Sequence, residues 1–199
     1  IDQVDVEVDV KEKPTGVINL GVGYGSTDKI MLSGGISQDN IFGSGNSLSL
    51  QVNTSETNRT AVLAHTDPYW TRDGVSKTTS LYYRRTTPYD SRYSDGDYEV
   101  TAIGAGLNFG IPISENDRIY MGASYEFNRL DRLNELRTPL AYQNFVKEFG
   151  KSSHAVIFNL GWEKDTRDSA LVPTRGSYTR LSGDFSTLDL RYYVLSAQQ

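Results

Sequence analysis

The chain has 199 residues, of which 37% are hydrophobic, 18 are glycine, 13 are tyrosine and none is cysteine. Its formal charge of -5 at pH 7 argues against general nucleic-acid binding, and the lack of cysteine excludes thiol catalysis and disulfides. No run approaches the roughly 18 apolar residues of a membrane-spanning helix, but a membrane β-strand needs only about 10 alternating residues.

The first segment, V-D-V-E-V-D-V at 4–10, predicts a strand with valines on one face and acidic residues on the other. Carboxylates on one strand face lie about 7 Å apart, and no turn glycine accompanies them, so a solvated face is favoured over a cation site. The following K-E-K-P-T at 11–15 breaks the pattern, because Pro14 has no N–H to donate to a ladder. It predicts a short connector.

The stretch G-V-I-N-L-G-V-G-Y-G-S at 16–26 predicts a strand with one apolar face and one almost bare face. Because glycine packs nothing and loses much backbone entropy on ordering, we expect this strand to pair weakly. The apolar face carries Ile18, Leu20, Val22 and Tyr24, and the other face carries Asn19, Gly21, Gly23 and Gly25.

The same alternation continues along the chain and predicts roughly ten strands after the connector. Glycine-rich turns and polar loops separate them, and the segment 140–149 after Pro139 is predicted to be helical. The later strands are predicted at 29–38, 47–53, 60–66, 75–85, 98–113, 119–128, 154–163 and 179–185, with a last one from about Leu190.

A repeated face of Gly, Ser and Asn is unusual for the solvent surface of a soluble β-sandwich, but it suits the lumen of a membrane barrel. We also expect long loops and short turns at alternate ends. The fold class is therefore all-β, a transmembrane antiparallel β-barrel, with a soluble β-domain acting as a binding module as the alternative. Aromatic residues near strand ends predict an interfacial girdle of Tyr69, Trp70, Tyr82, Tyr83 and Trp162.

Catalytic chemistry is sparse. The two histidines, His65 and His154, lie in or beside strands, where a girdle or surface position is favoured over catalysis. The glycine-rich segments 21–25 and 104–110 resemble phosphate loops only superficially, because no helix follows either of them. We predict no enzyme, no metal site and no cofactor.

Four segments, in their order and spacing, together resemble the BamA family of outer-membrane protein assembly factors. The resemblance implies that 1–13 is the last strand of a periplasmic POTRA domain, that 14–15 is a hinge at Pro14, and that 16–199 forms the first ten strands of a barrel of about sixteen. The chain is then expected to be a fragment. The segments are G-V-I-N-L-G-V-G-Y-G-S at 16–26, S-Q-D-N-I-F-G-S-G-N at 37–46, T-D-P-Y-W-T-R-D-G-V-S at 66–76 and D-S-A-L-V-P-T-R-G at 168–176.

The resemblance also implies a location in the bacterial outer membrane. The implied function is the folding and insertion of β-barrel proteins. The implied partners are unfolded outer-membrane proteins, accessory BAM lipoproteins bound through the periplasmic part, the lipid bilayer and lipopolysaccharide, with no nucleic acid.

Weak pairing of the first strand would leave backbone N–H and C=O groups available as a template for a substrate strand. The predicted lateral-gate residues are Val17, Ile18, Asn19, Leu20, Gly21, Val22, Gly23, Tyr24 and Gly25. TamA-type proteins and two-partner secretion transporters remain alternatives because they share this architecture. A passive porin is another, and it predicts ion conductance through a lumen that carries Glu126, Arg180 and Asp184.

Overall fold

The computed structural model describes residues 7, 9, 14–87, 98–131, 140–169 and 171–199. The helix α1 (Leu140–Phe149) has the predicted bounds, and the strand bounds differ from the predicted ones by a few residues at most. Apart from residues 7 and 9, the strand predicted at 4–10 lies outside the described residues. The strands are β1 (Gly16–Gly25), β2 (Lys29–Gln38), β3 (Ser47–Thr54), β4 (Asn58–Asp67), β5 (Ser76–Thr86), β6 (Glu99–Pro112), β7 (Asp117–Asp131), β8 (Ser152–Asp165), β9 (Tyr178–Leu188) and β10 (Tyr192–Gln198).

These ten strands form one antiparallel sheet whose order in space is the order in sequence, with β1 and β10 at its edges. Each strand pairs with the next because an antiparallel pair can be joined by a direct connection. Within the described ranges, no helix is long and apolar enough to cross a membrane.

The register aligns apolar residues of successive strands on one face, which we call the outer face. Leu50 on β3 lies opposite Leu63 on β4, and Leu63 lies opposite Leu81 on β5. The opposite side, which we call the inner face, carries mostly Gly, Ser, Asn and other polar residues. On the outer face, the row of aligned residues continues from Leu81 through Ala105 on β6, Tyr125 on β7 and Val156 on β8.

Neither face of the described sheet is covered by a packed hydrophobic core. The buried hydrophobic residues of the described chain are Ala102, Leu130 and Ala155, whereas Leu81 in the middle of the outer face remains 54% exposed. A single-layer sheet with an exposed apolar face gains little from burial in water, because no second layer removes that face from solvent. The arrangement fits a sheet whose outer face lies in hydrocarbon.

The connections differ from the predicted alternation of long loops and short turns. The end of the sheet that carries the long connections 87–98 and 132–151 also carries the short ones 26–28, 55–57 and 189–191. Short connections suffice there because adjacent antiparallel strands need only a hairpin turn. The opposite end is joined by 39–46, 68–75, 113–116 and 166–177.

Tyr82 lies on the inner face, so its predicted place in the outer girdle is wrong. Adjacent residues of a strand point to opposite faces, and Tyr82 and Tyr83 therefore cannot both face outward. The Tyr82 hydroxyl donates to Glu126 Oε2 at 2.9 Å, and Gly104 lies between them in the register. Tyr83 is the outward residue, opposite Ile103.

Candidate functional site

Strand β1 is an edge strand that pairs with β2 along its whole length, from Gly16 opposite Gln38 to Gly25 opposite Lys29. Its second edge has no partner strand among the described residues. Every strand carries N–H and C=O groups along both edges, so one row of them on β1 has no partner within the described sheet, as is also true of β10 at the other edge. The residues predicted from sequence as a gate, 17–25, all lie on this strand.

The outer face of β1 is more open than the outer face of a central strand. Leu20 is 86% exposed and Val22 is 81% exposed, compared with 54% for Leu81 on the central strand β5. A central strand has side chains on both sides that cover part of its surface, and β1 has them on one side only. A strand added to the free edge would therefore cover apolar surface as well as backbone groups.

The inner face of β1 is packed by side chains that belong to β2. Met31 Cε lies 3.2 Å from the position that a Cβ on Gly23 would take, and Ser33 Oγ occupies the corresponding space at Gly21. A groove of about 510 Å³ runs beside these residues and reaches Asn53 on β3. Because its glycines contribute no side chains, β1 is held to the sheet mainly by its backbone ladder with β2.

The chain is fixed to the sheet one residue before β1 begins. The Asp39 N–H donates to the Thr15 carbonyl at 2.9 Å, and Gln38 Nε2 donates to Thr15 Oγ1 at 2.6 Å. Pro14, the residue predicted as a hinge, is exposed and lies immediately outside this anchor.

Glycines on the inner face allow side chains of the flanking strands to meet above them. Asn159 Nδ2 on β8 donates to Asn108 Oδ1 on β6 at 2.8 Å, and Gly122 on β7 lies between them. A Cβ at Gly122 would lie 2.7 Å from the carbonyl oxygen of Leu107. On the glycine-rich face predicted from the alternation, side chains of flanking strands therefore form hydrogen bonds across the glycine between them.

Charged residues on the inner face are engaged with neighbours. Arg84 Nη2 lies 3.6 Å from Glu126 Oε2, so this carboxylate is shared with Tyr82. Arg180 Nη1 lies 3.9 Å from Glu163 Oε2. Two of the charged residues named above for a porin lumen, Glu126 and Arg180, therefore have ion-pair partners.

Aromatic residues also pack on the outer face. The Trp70 and Phe109 ring centroids are 5.3 Å apart, and Lys77 Nζ lies 5.3 Å from the Trp70 centroid. Lys77 and Phe109 lie opposite each other on the outer face, which agrees with a girdle position for Trp70. His154 also packs on this face, where its Nδ1 lies 2.6 Å from the Tyr125 hydroxyl.

Comparison with known proteins identifies the family. The Omp85 superfamily domain matches residues 40–198. The chain belongs to the Omp85 superfamily. Like its relatives, this Omp85 chain is a protein of the bacterial outer membrane, and its sheet is part of a transmembrane antiparallel β-barrel, as predicted.

Within the Omp85 superfamily the chain is similar to BamA, as the sequence motifs indicate. It is 33% identical over 208 residues to the outer membrane protein assembly factor BamA of Neisseria meningitidis serogroup B, covering 100% of this chain and 26% of that protein. It is 28% identical over 184 residues to BamA of Nitratidesulfovibrio vulgaris, covering 92% of this chain and 22% of that protein. The chain thus spans about a quarter of the length of these curated relatives.

A solved structure supports the same assignment of the Omp85 chain. The crystal structure of BamA from Haemophilus ducreyi lacking POTRA domains 1–3 is similar with a TM-score of 0.77 and 28% sequence identity. The similarity covers 94% of this chain and 37% of that one.

The described residues of one motif of this Omp85 chain, D-S-A-L-V-P-T-R-G, form a turn that their own polar groups hold together. Asp168 accepts from the hydroxyl and the N–H of Thr174 and from the N–H of Arg175. The Thr174 side-chain bond and these backbone bonds lower the pKa of Asp168 to about 2, so the carboxylate is ionised at neutral pH. Gly176 has a φ of 93°, and a Cβ there would lie 2.7 Å from Arg167 Cα.

A second motif of the Omp85 chain, Q-D-N-I-F-G-S-G-N, builds the turn between β2 and β3. Asn40 has a φ of 53° and its Oδ1 accepts from the Gly45 N–H at 2.7 Å. The Ile41 N–H donates to the Asn46 carbonyl at 2.8 Å, which closes the turn. These two motifs, of the four that the sequence singled out, are therefore local structures that fix the ends of strands.

Among the described residues, no three His, Cys, Asp or Glu side chains are close enough together to hold a metal ion. The sequence did not predict a structural role for Asp28, which lies in the short connection 26–28. Asp28 there bonds to the connection 55–57, and a signal for this contact appears only in the three-dimensional pairing.

Proposed function

We propose that this chain is part of a BamA-type factor that folds and inserts β-barrel proteins into the outer membrane, and that β1 is the strand on which a substrate strand pairs. The observation that carries the proposal is the bare inner face of β1, where Gly21, Gly23 and Gly25 offer no side chains, whereas β10, at the other edge of the described sheet, has no glycine. The names of the similar proteins from Neisseria meningitidis and Nitratidesulfovibrio vulgaris, which are assembly factors, support it.

The mechanism requires no covalent chemistry, and we infer that the protein is not an enzyme. Backbone N–H and C=O groups of β1 would bond to a substrate strand, which binds without demanding one side-chain sequence. The strong exposure of Leu20 and Val22 adds a second contribution, because the added strand covers apolar surface on the outer face. The substrate barrel is then released into the bilayer at the same edge.

The periplasmic side of the proposal concerns residues 1–15. We propose that 1–13 is the last strand of a POTRA-like domain and that the connection at 14–15 is a hinge. Because Thr15 is tied to Asp39 and Gln38, rotation would occur at Pro14 and before it. The proposed partners are unfolded outer-membrane proteins, accessory BAM lipoproteins on the periplasmic side, and the surrounding lipid with its lipopolysaccharide.

The decisive experiment is photocrosslinking in the whole protein while it assembles a barrel substrate. A photoreactive residue is placed at Leu20 on β1 or, as the matched control, at Leu81, an outward residue on the central strand β5. We expect crosslinks from position 20 to a terminal strand of the substrate and none from position 81, because only an edge strand can pair with a new one.

Equal crosslinking from both positions would indicate nonspecific contact with lipid-exposed surface and would contradict templating by β1. Absence of crosslinks from position 20, together with stable single-channel conductance, would instead favour a passive porin.

A further inference from the structure

The connection that leads from the Gly25 end of β1 into β2 is held by one of its own side chains. Asp28, in the connection between β1 and β2, accepts at Oδ1 from the Ser55 hydroxyl at 3.1 Å and from the Thr57 hydroxyl. Its carbonyl also accepts from the Glu56 N–H at 3.2 Å. These three bonds join the connection 26–28 to the connection 55–57 and extend the pairing of β2 with β3 beyond Leu32 and Thr54.

The contact continues along the same end of the sheet. Asn58 Nδ2 donates to Thr57 Oγ1 at 3.1 Å, and Asn58 Oδ1 accepts from the Thr86 hydroxyl at 3.1 Å. The Thr87 N–H donates to the Thr57 carbonyl at 2.7 Å. Asp28 is thus the first member of a chain of hydrogen bonds that reaches the end of β5.

These hydrogen bonds matter for β1 because, apart from the ladder with β2, few side chains contact its Gly25 end in the described structure. The inner face at Gly21 and Gly23 is covered only by Ser33 and Met31 within the described structure, and a groove of about 510 Å³ lies alongside. The opposite end of β1 is fixed by Thr15. Between these two anchors the strand depends on its ladder with β2, and edge ladders with few side-chain contacts open readily.

We propose that Asp28 is a positioning residue for the pairing edge of β1, acting through its bonds to Ser55 and Thr57. The inference rests on the proposed function, because it assumes that a substrate strand adds to β1. Holding the Gly25 end against the connection 55–57 keeps β1 in register with β2 when the other edge takes up a new strand. Asp28 itself does not contact the substrate.

The test compares three variants of the whole protein. Asp28→Ala removes the acceptor, Asp28→Asn keeps an Oδ1 acceptor, and Asp39→Ala is the matched control. Asp39 is an exposed turn residue at the other end of β2, and the described structure shows no hydrogen bond to its carboxylate. An alanine at this position keeps the backbone N–H that bonds to the Thr15 carbonyl. The readouts are amide hydrogen exchange of residues 21–25 and the rate at which a barrel substrate is assembled.

For Asp28→Ala we expect exchange at 21–25 to rise about tenfold, which is roughly the effect of losing one or two net hydrogen bonds from a local opening equilibrium. Exchange in β6 and β7 should not change. Assembly should slow in the same variant, Asp28→Asn should restore both readouts, and Asp39→Ala should match the unmodified protein.

Unchanged exchange at 21–25 in Asp28→Ala would overturn the proposal. Faster exchange with an unaltered assembly rate would also overturn it, because Asp28 would then stabilise β1 without positioning it for assembly. Failure of the proposed function is recognised separately, by the absence of substrate crosslinks from position 20 in the protein with Asp28 intact.

Discussion

Gly104 is covered by the ring of Tyr82, whose hydroxyl reaches Glu126 on the strand beyond. The arrangement repeats at Gly122, where Asn108 and Asn159 meet. At both positions the backbone has an ordinary strand conformation, so the requirement for glycine comes from the atoms above it. Residues of this kind cannot be identified from sequence alone, because the covering side chain comes from a neighbouring strand and depends on the register.

The glycine requirement can be tested with Gly104→Ala. The new Cβ would overlap the Tyr82 ring and would lie 2.8 Å from the Tyr125 carbonyl oxygen, which belongs to the backbone and cannot move cheaply. We expect the free energy of unfolding to fall by about 1–3 kcal/mol, as in other overpacked sites. Urea unfolding of the purified barrel in lipid vesicles measures it.

Gly35→Ala is the control for this substitution. Its nearest neighbour would be the Leu50 carbonyl oxygen at 3.8 Å, an ordinary contact, so stability should change by less than about 0.5 kcal/mol. Equal losses in the two variants would show that the covering side chain at Gly104 is irrelevant and that replacing glycine has a general effect on these strands.

At the scale of the element, alternation predicted the strands well because it is a local property. β2 has the predicted bounds, β1 ends one residue before the predicted stretch does, and the segment after Pro139 is the helix α1. The same alternation is enough to show that Tyr82 and Tyr83 cannot both belong to an outer girdle, because two consecutive strand residues cannot share a face. By contrast, the role of Asp28 depends on two connections that are brought together only when β1 to β4 assemble, so nothing near Asp28 in the sequence predicts it.

A proline scan of β1 tests which edge carries the template. Successive residues of a β-strand direct their N–H groups to opposite edges, so Val22→Pro and Gly23→Pro remove donors from different edges. One of them should lower the stability of the β1–β2 pair. The other should abolish assembly while most of the barrel stays folded. Substrate assembly and the fraction of folded barrel, measured side by side, separate the two effects.

Two variants that lose assembly and folding together would mean that the free edge has no separate role. Normal assembly by both variants would contradict templating by β1 altogether, since one of the two must lack a donor on the free edge.

At the scale of the whole molecule, the sheet carries its apolar residues on the outer face and has no packed core among the described residues. Its stability must therefore depend on the solvent around it. Lipid removes the outer face from water, and the inner face supplies hydrogen-bonded bridges such as Asn108–Asn159. The sequence predicted this partition from composition, because a face of Gly, Ser and Asn opposite a face of Leu, Ile and Phe suits a barrel wall.

The partition predicts that the same charge placed on two neighbouring residues destabilises the protein to very different extents. Leu50 lies on the outer face near the middle of β3, and Gln51 lies next to it on the inner face. Leu50→Arg should destabilise the whole protein in a bilayer by about 2–4 kcal/mol, because the guanidinium would sit in hydrocarbon, whereas Gln51→Arg should cost much less. Unfolding in vesicles measures both. Similar costs for the two variants would mean that water reaches both faces, and the outer face would then need a protein partner instead of lipid to explain its exposed leucines.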